Sequence, residues 1–273
     1  MFPGAHADRE EAAYALVGAP LDISTTFQPG TRFGPQLLDQ VTDAFSDYDH
    51  HTDTRFSELC VHDHGDIRPG DDAEEYLEFL RGTLWDYQQA GVVPLTVGGE
   101  HTVTVAALRG LEPDVYVCLD AHLDLRESYA GNPLNHATVT HHALDVVDRV
   151  VLLGARTGSE KGWERVETDD RITVVPPEET GSWEPNVGDE TVYLSVDIDA
   201  ADPGFAPGTG TPEPFGLDPR TMHEVVRAVA RHCIGFDVVE VNDRDDGQAA
   251  TLGAKLLRAF VFAHASGQKR THS

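Results

Sequence analysis

The chain has 273 residues, with 47 acidic against 20 basic side chains and a formal net charge of −27. That charge excludes nucleic acid and anionic membranes as natural partners. No run near 18 apolar residues exists, so no transmembrane helix is expected. The start "MFPGAHADREEAAYALVG" is acidic and lacks the basic region of a signal peptide. Cys60, Cys118 and Cys233 are odd in number and far apart, which predicts reduced, buried thiols and a cytoplasmic location. The acids are spread along the whole sequence and only three lysines are present, Lys161, Lys255 and Lys269. Such a surface reads as adaptation to a salty, halophilic cytoplasm, where self-repulsion is screened.

In chain order, apolar runs predict strands at 14–19, 60–67, 92–99, 115–120, 149–155, 171–176, 192–199 and 234–241. Amphipathic stretches fall between most of them. The clearest predicts a helix over 73–90, with Tyr76, Leu77, Leu80, Leu84 and Tyr87 on one face. A second spans 218–232, with Asp218 as N-cap and Pro219 in the first turn. A third covers 248–266. This alternation predicts a single α/β domain over 1–273, with a mostly parallel sheet between two helix layers. Ligands in such sheets bind beyond the carboxyl ends of the strands. The Gly/Pro-rich run "DPGFAPGTGTPEPFG" at 202–216 follows an acid-bearing strand and reads as an active-site loop.

Four apolar runs end in charged side chains. "PLTVGGEH" delivers His101, and "VYVCLDAHLD" delivers Asp120, His122 and Asp124. "VYLSVDID" delivers Asp197 and Asp199, and "GFDVVEV" delivers Glu240. Residues two apart in an extended segment point the same way, which groups Asp120 with His122 and Asp124, and Asp197 with Asp199. Four aspartates gathered in a half-buried site would repel one another. A pair of divalent cations removes that problem, and carboxylate with imidazole is a hard donor set that suits manganese, with zinc, cobalt or iron as alternatives. The other histidines are assigned to surface and packing. No phosphate loop and no Gly-x-Ser-x-Gly elbow is present.

"GGEHTVT", "DAHLDLR", "SVDIDAADPGFAPGTGTPEPFG" and "DVVEVN" resemble the signature blocks of the ureohydrolase (arginase/agmatinase) family, closest to its agmatinases, from about 14 to 262. The resemblance implies a three-layer α/β/α fold with an eight-stranded parallel sheet, and two Mn²⁺ ions per subunit. His101, Asp120, Asp124 and Asp197 would hold one ion. Asp120, His122, Asp197 and Asp199 would hold the other. Asp124 and His136 would move protons, and Glu240 would pair with a substrate guanidinium. The implied reaction is hydrolysis of agmatine to putrescine and urea, a step of polyamine biosynthesis, in a homo-oligomer (trimer or hexamer). Glu100 stands where many members carry Asp, and "NDRDDGQAA" replaces a commoner run with Pro and Tyr.

Other guanidino substrates are the alternatives: arginine, guanidinobutyrate or aminopropylated agmatine. A metal-free homologue is disfavoured because every expected ligand is present, and a one-zinc amidohydrolase because it needs fewer carboxylates. The loop "LRESYAGNPLNH" is expected to read the far end of the substrate. There Glu127 favours an amine, and Arg126 is expected to face outward.

Overall fold

The computed structural model describes residues 2–68 and 72–271. Ten strands occur in it: β1 (Tyr14–Ala19), β2 (Tyr48–Asp49), β3 (Thr54–Arg55), β4 (Val61–Asp66), β5 (Val93–Gly98), β6 (Val115–Leu119), β7 (Arg149–Leu153), β8 (Ile172–Val175), β9 (Val192–Asp197) and β10 (Cys233–Val239). Eight form one sheet in the order β4-β1-β5-β10-β9-β6-β7-β8. Each neighbouring pair is parallel. All eight predicted strands are therefore present. The hairpin β2–β3 was not anticipated, because two-residue arms carry no readable period.

The helices are α1 (Gly34–Thr42), α2 (Ala73–Gln89), α3 (Val103–Leu111), α4 (Val139–Ala143), α5 (Glu160–Thr168), α6 (Pro177–Thr180), α7 (Pro219–Val229) and α8 (Gln248–Thr271). The predicted face of α2 is the buried one, from Tyr76 to Tyr87. Asp218 caps α7 by accepting from the amides of Arg220 and Thr221, and Pro219 opens the helix. That helix ends at Val229 and gives way to a 3₁₀ turn, Ala230–His232. α8 runs to Thr271, past the predicted end at 266.

Strand side chains alternate between two apolar layers. Leu16, Val117, Leu194 and Val238 pack with Leu38 of α1, Met222 of α7 and Phe260 of α8. Val17, Tyr116, Leu152 and Val239 pack with Leu80 of α2 and Leu108 of α3. Both faces are covered, as near-continuous apolar strands require. One expectation fails: Cys60 is exposed, not buried. It precedes β4 in a left-handed conformation at φ 53°, which breaks the apolar run one residue early.

The strands that end in candidate residues, β5, β10, β9 and β6, are four consecutive members in the middle of the sheet. Their carboxyl ends therefore share one edge.

Candidate metal centre

The predicted residues lie at or just past the strand ends, where the backbone turns away from the extended form. β6 stops at Leu119, and Asp120 Oδ1 accepts the His122 amide at 2.6 Å in a tight turn. Asp124 sits at φ 47°. β9 ends at Asp197, whose Oδ1 accepts the Asp199 amide at 2.9 Å and starts a 3₁₀ turn. The alternation argument for co-facing side chains is thus corrected. Side-chain-to-backbone turns aim these groups, an option that Asp takes readily and periodicity does not reveal.

Three carboxylates converge on one ring nitrogen. His101 Nδ1 lies 3.2 Å from Asp120 Oδ2, 3.1 Å from Asp124 Oδ2 and 3.4 Å from Asp197 Oδ2. His122 Nδ1 lies 2.9 Å from Asp199 Oδ2 and 3.6 Å from Asp120 Oδ1. Asp120 thus joins the two groups, one oxygen to each. Burial opposes protonation of His122, but the Asp199 charge and the bonds to Asp120 and Asp199 push its pKa up to about 12. Burial lifts Asp124 and Asp197, and neighbouring carboxylates add to it. Asp120 is also opposed by burial, yet it moves down because it meets both imidazoles. Asp120, His122 and Asp199 offer ligand atoms within 4.8 Å of one another. Four crowded carboxylates and two imidazoles are the donor set of hard divalent cations, so the residues fit the metal pair that the sequence implies.

Glu240 follows β10 at φ 63° and is buried. Its amide donates to Gly99 O at 2.8 Å, and its Oε1 accepts the His101 amide at 2.8 Å. Gly210 packs against its Oε2, which a Cβ there would meet at 2.8 Å. Thr211 Oγ1 donates to Asp199 Oδ2 at 3.3 Å. The loop 202–216 therefore borders the cluster. Burial raises Glu240 well above the carboxylate range. His136 opens a 3₁₀ turn capped by Asn135, and its Nε2 is 3.3 Å from Thr26 Oγ1.

Among known proteins, residues 12–263 match the Arginase family. The chain belongs to the arginase family. It is 35% identical over 268 residues to N(1)-aminopropylagmatine ureohydrolase of Thermococcus kodakarensis, covering 94% of this chain and 92% of that one. It is 36% identical over 271 residues to guanidinobutyrase of Pseudomonas aeruginosa, covering 89% and 83%. The crystal structure of agmatine ureohydrolase of Thermoplasma volcanium superposes with a TM-score of 0.91 at 30% identity, covering 98% of this chain and 94% of that one.

Several residues around this arginase-family centre were given no role from the sequence. Asp237, inside β10, is fully buried and accepts from Ser195 Oγ at 2.6 Å, Tyr193 OH at 2.7 Å and Thr104 Oγ1 at 2.8 Å. Arg156 donates to the carbonyls of Gly154, Asp199, Ala200, Ala201, Glu213 and Pro214, tying the 199–214 segment to the end of β7. A cation after a strand end was its only mark. Cys118 lies 3.8 Å from His101 Nε2, the nitrogen turned away from the carboxylates. Burial pushes this thiol up to about 11, and its sulfur lies within 4.8 Å of ligand atoms of His101 and Asp120. Arg126 is exposed, with its guanidinium 5.0 Å from the Tyr129 ring centroid. It also lines a cavity of about 140 Å³ with His122 and Asp124.

Proposed function

We propose that the chain hydrolyses agmatine to putrescine and urea with two manganese ions. His101, Asp120, Asp124 and Asp197 hold one; Asp120, His122, Asp197 and Asp199 hold the other. The observation that carries this reading is the crowding of buried carboxylates around His101 Nδ1, with Glu240 tied to the same turn through the His101 amide. Protein donors alone leave such acids uncompensated.

When bound, the ion pair supplies Lewis acidity and a water ionised near neutral pH. Glu240 accepts the guanidinium N–H groups in charge-assisted bonds and fixes the plane of the carbon to be attacked. Asp124 takes the proton of the added hydroxyl as the urea carbonyl forms and passes it to the departing nitrogen. His136 gives a proton to the departing amine nitrogen as its C–N bond breaks, so urea and an amine leave. The exposed Glu127, three residues after Asp124, would favour the far amine of agmatine over a carboxylate.

A guanidino acid such as guanidinobutyrate is the second reading, favoured by the place of Arg126 beside His122 and Asp124. The deciding measurement is kcat/KM for agmatine, guanidinobutyrate and arginine after manganese loading. Agmatine should lead. A higher value for either acid would overturn the substrate while leaving the reaction class intact.

A further inference from the structure

Glu100 is wholly buried, yet it is not among the proposed metal ligands, and its charge is felt at Glu240. A carboxylate is seldom buried without compensation. Here the compensation is four donors. Oε2 accepts the amides of Ile23 at 2.7 Å and Ser24 at 2.6 Å. Oε1 accepts Ser24 Oγ at 2.7 Å and Thr102 Oγ1 at 2.6 Å. Thr102 stands at the N-cap of α3 but makes no side-chain cap bond there. Its hydroxyl is committed to Glu100 instead.

These bonds lead to His136. The His136 amide lies 3.0 Å from Ser24 Oγ, and a backbone N–H can only donate. Ser24 Oγ therefore accepts from His136 while giving its own hydrogen to Glu100. Asn135, which caps the turn holding His136, donates from Nδ2 to Ser24 O at 3.5 Å. Two residues on, Thr26 Oγ1 meets the ring at Nε2. Backbone and imidazole of His136 are thus both referred to the segment that Glu100 clamps. Glu100 adjoins His101, whose amide fixes Glu240. One turn after β5 sets a metal ligand, the guanidinium acid and the mount of the proton donor.

We infer that Glu100 is a positioning residue for His136, acting through Ser24. This rests on the reading of His136 as proton carrier given above. The test uses manganese-loaded S24A, E100Q and H136N beside the wild type, with metal content, kcat, KM, melting temperature and rescue by added imidazole as readouts. S24A cuts the arm to His136 while both backbone bonds to Glu100 remain. Its kcat should fall on the order of tenfold to a hundredfold, the effect of displacing a catalytic group by about an ångström. Metal content and KM should stay at the wild-type level. Free imidazole, which needs no mount, should restore part of the rate in S24A as in H136N. E100Q must turn its amide toward the two hydroxyls, which sets a second donor against Ser24 Oγ, and should show the larger fall. A merely structural role would lower the melting temperature and leave imidazole without effect. An S24A enzyme with unchanged kcat, or with a loss that imidazole does not relieve, overturns the inference when H136N shows its own rescuable defect. Full kcat in H136N overturns the reading of His136 and the inference with it.

Discussion

Asp237 and Asp197 are buried carboxylates on adjacent strands, and the register pairs Asp237 with Ser195 and Val239 with Asp197. Asp237 is surrounded by hydroxyls, and those of Ser195, Tyr193 and Thr104 all donate to it. Burial raises its pKa, and these donors oppose the rise. Asp197 receives the Asp199 amide and faces one imidazole. Burial and the charges of Asp199 and Asp120 raise it well above the usual range. Burial of an acid alone therefore marks no site. What separates the two is the company: hydroxyls complete a structural acid, whereas other acids leave it in need of a cation.

The largest expected effect tests that division directly. D197N and D120N should each lose metal and reduce turnover to background, by metal analysis and urea release. D237N should keep two ions per chain and lose stability instead, by about 1–3 kcal/mol for a hydroxyl left without its acceptor. Denaturant titration reads the second quantity. An emptied centre in D237N, or full activity of D197N in a chelated sample, would break the comparison.

Much of this was legible in the sequence, for reasons that differ by residue. The sheet was readable because strands buried on both faces are apolar throughout, and α7 because Asp218 and Pro219 mark its start. His101, Asp120, His122, Asp124, Asp197, Asp199 and Glu240 stood out as charges closing apolar runs, and the structure gathers them at one edge of the sheet. How they are aimed was not readable. The left-handed Asp124 and Glu240 are set by contacts with distant segments, which spacing does not encode. Glu100 was visible only as a departure from the common Asp, because its donors Ile23 and Ser24 lie 77 and 76 positions upstream in a segment without period. Asp237 looked like any strand residue, since the hydroxyls that complete it come from β9 and α3.

Exterior acids provide a second contrast with the cluster. The net charge of −27 is spread over the chain, as in the exposed first turn of α2 with Glu74 and Glu75. Such charges repel over distances that salt controls, with a Debye length of about 3 Å at 1 M and about 10 Å at 0.1 M. The short contacts at His101 and His122 are shorter than or similar to either length, and His101 is shielded from solvent. Dialysis from 1 M to 0.1 M salt should lower the melting temperature while the metal content per folded chain stays constant. A melting temperature unchanged between the two would refute the halophilic reading of the surface.

The smallest effect concerns two histidines moved in opposite directions. His122, among acids, is raised; His264 of α8 is lowered, because burial disfavours its charged form. His264 Nδ1 lies 2.8 Å from the hydroxyl of Tyr14, at the start of β1 and so at the opposite end of that strand from the metal centre. Its ring also stacks on Phe260. A lowered folded-state pKa means that the unfolded chain binds the proton more readily. The stability from neutral His264 is therefore complete above the unfolded value, about 6.5, and is lost as pH falls below it. The loss has a ceiling of about 1.4 kcal/mol per pH unit. Because His101, His122 and bound metal also respond to pH, the informative quantity is the difference between wild type and H264Q, whose amide still reaches Tyr14. That difference, measured by urea titration, should shrink as pH is lowered from 8 to 5. A difference that stays constant or widens would show that His264 is not held neutral by the core.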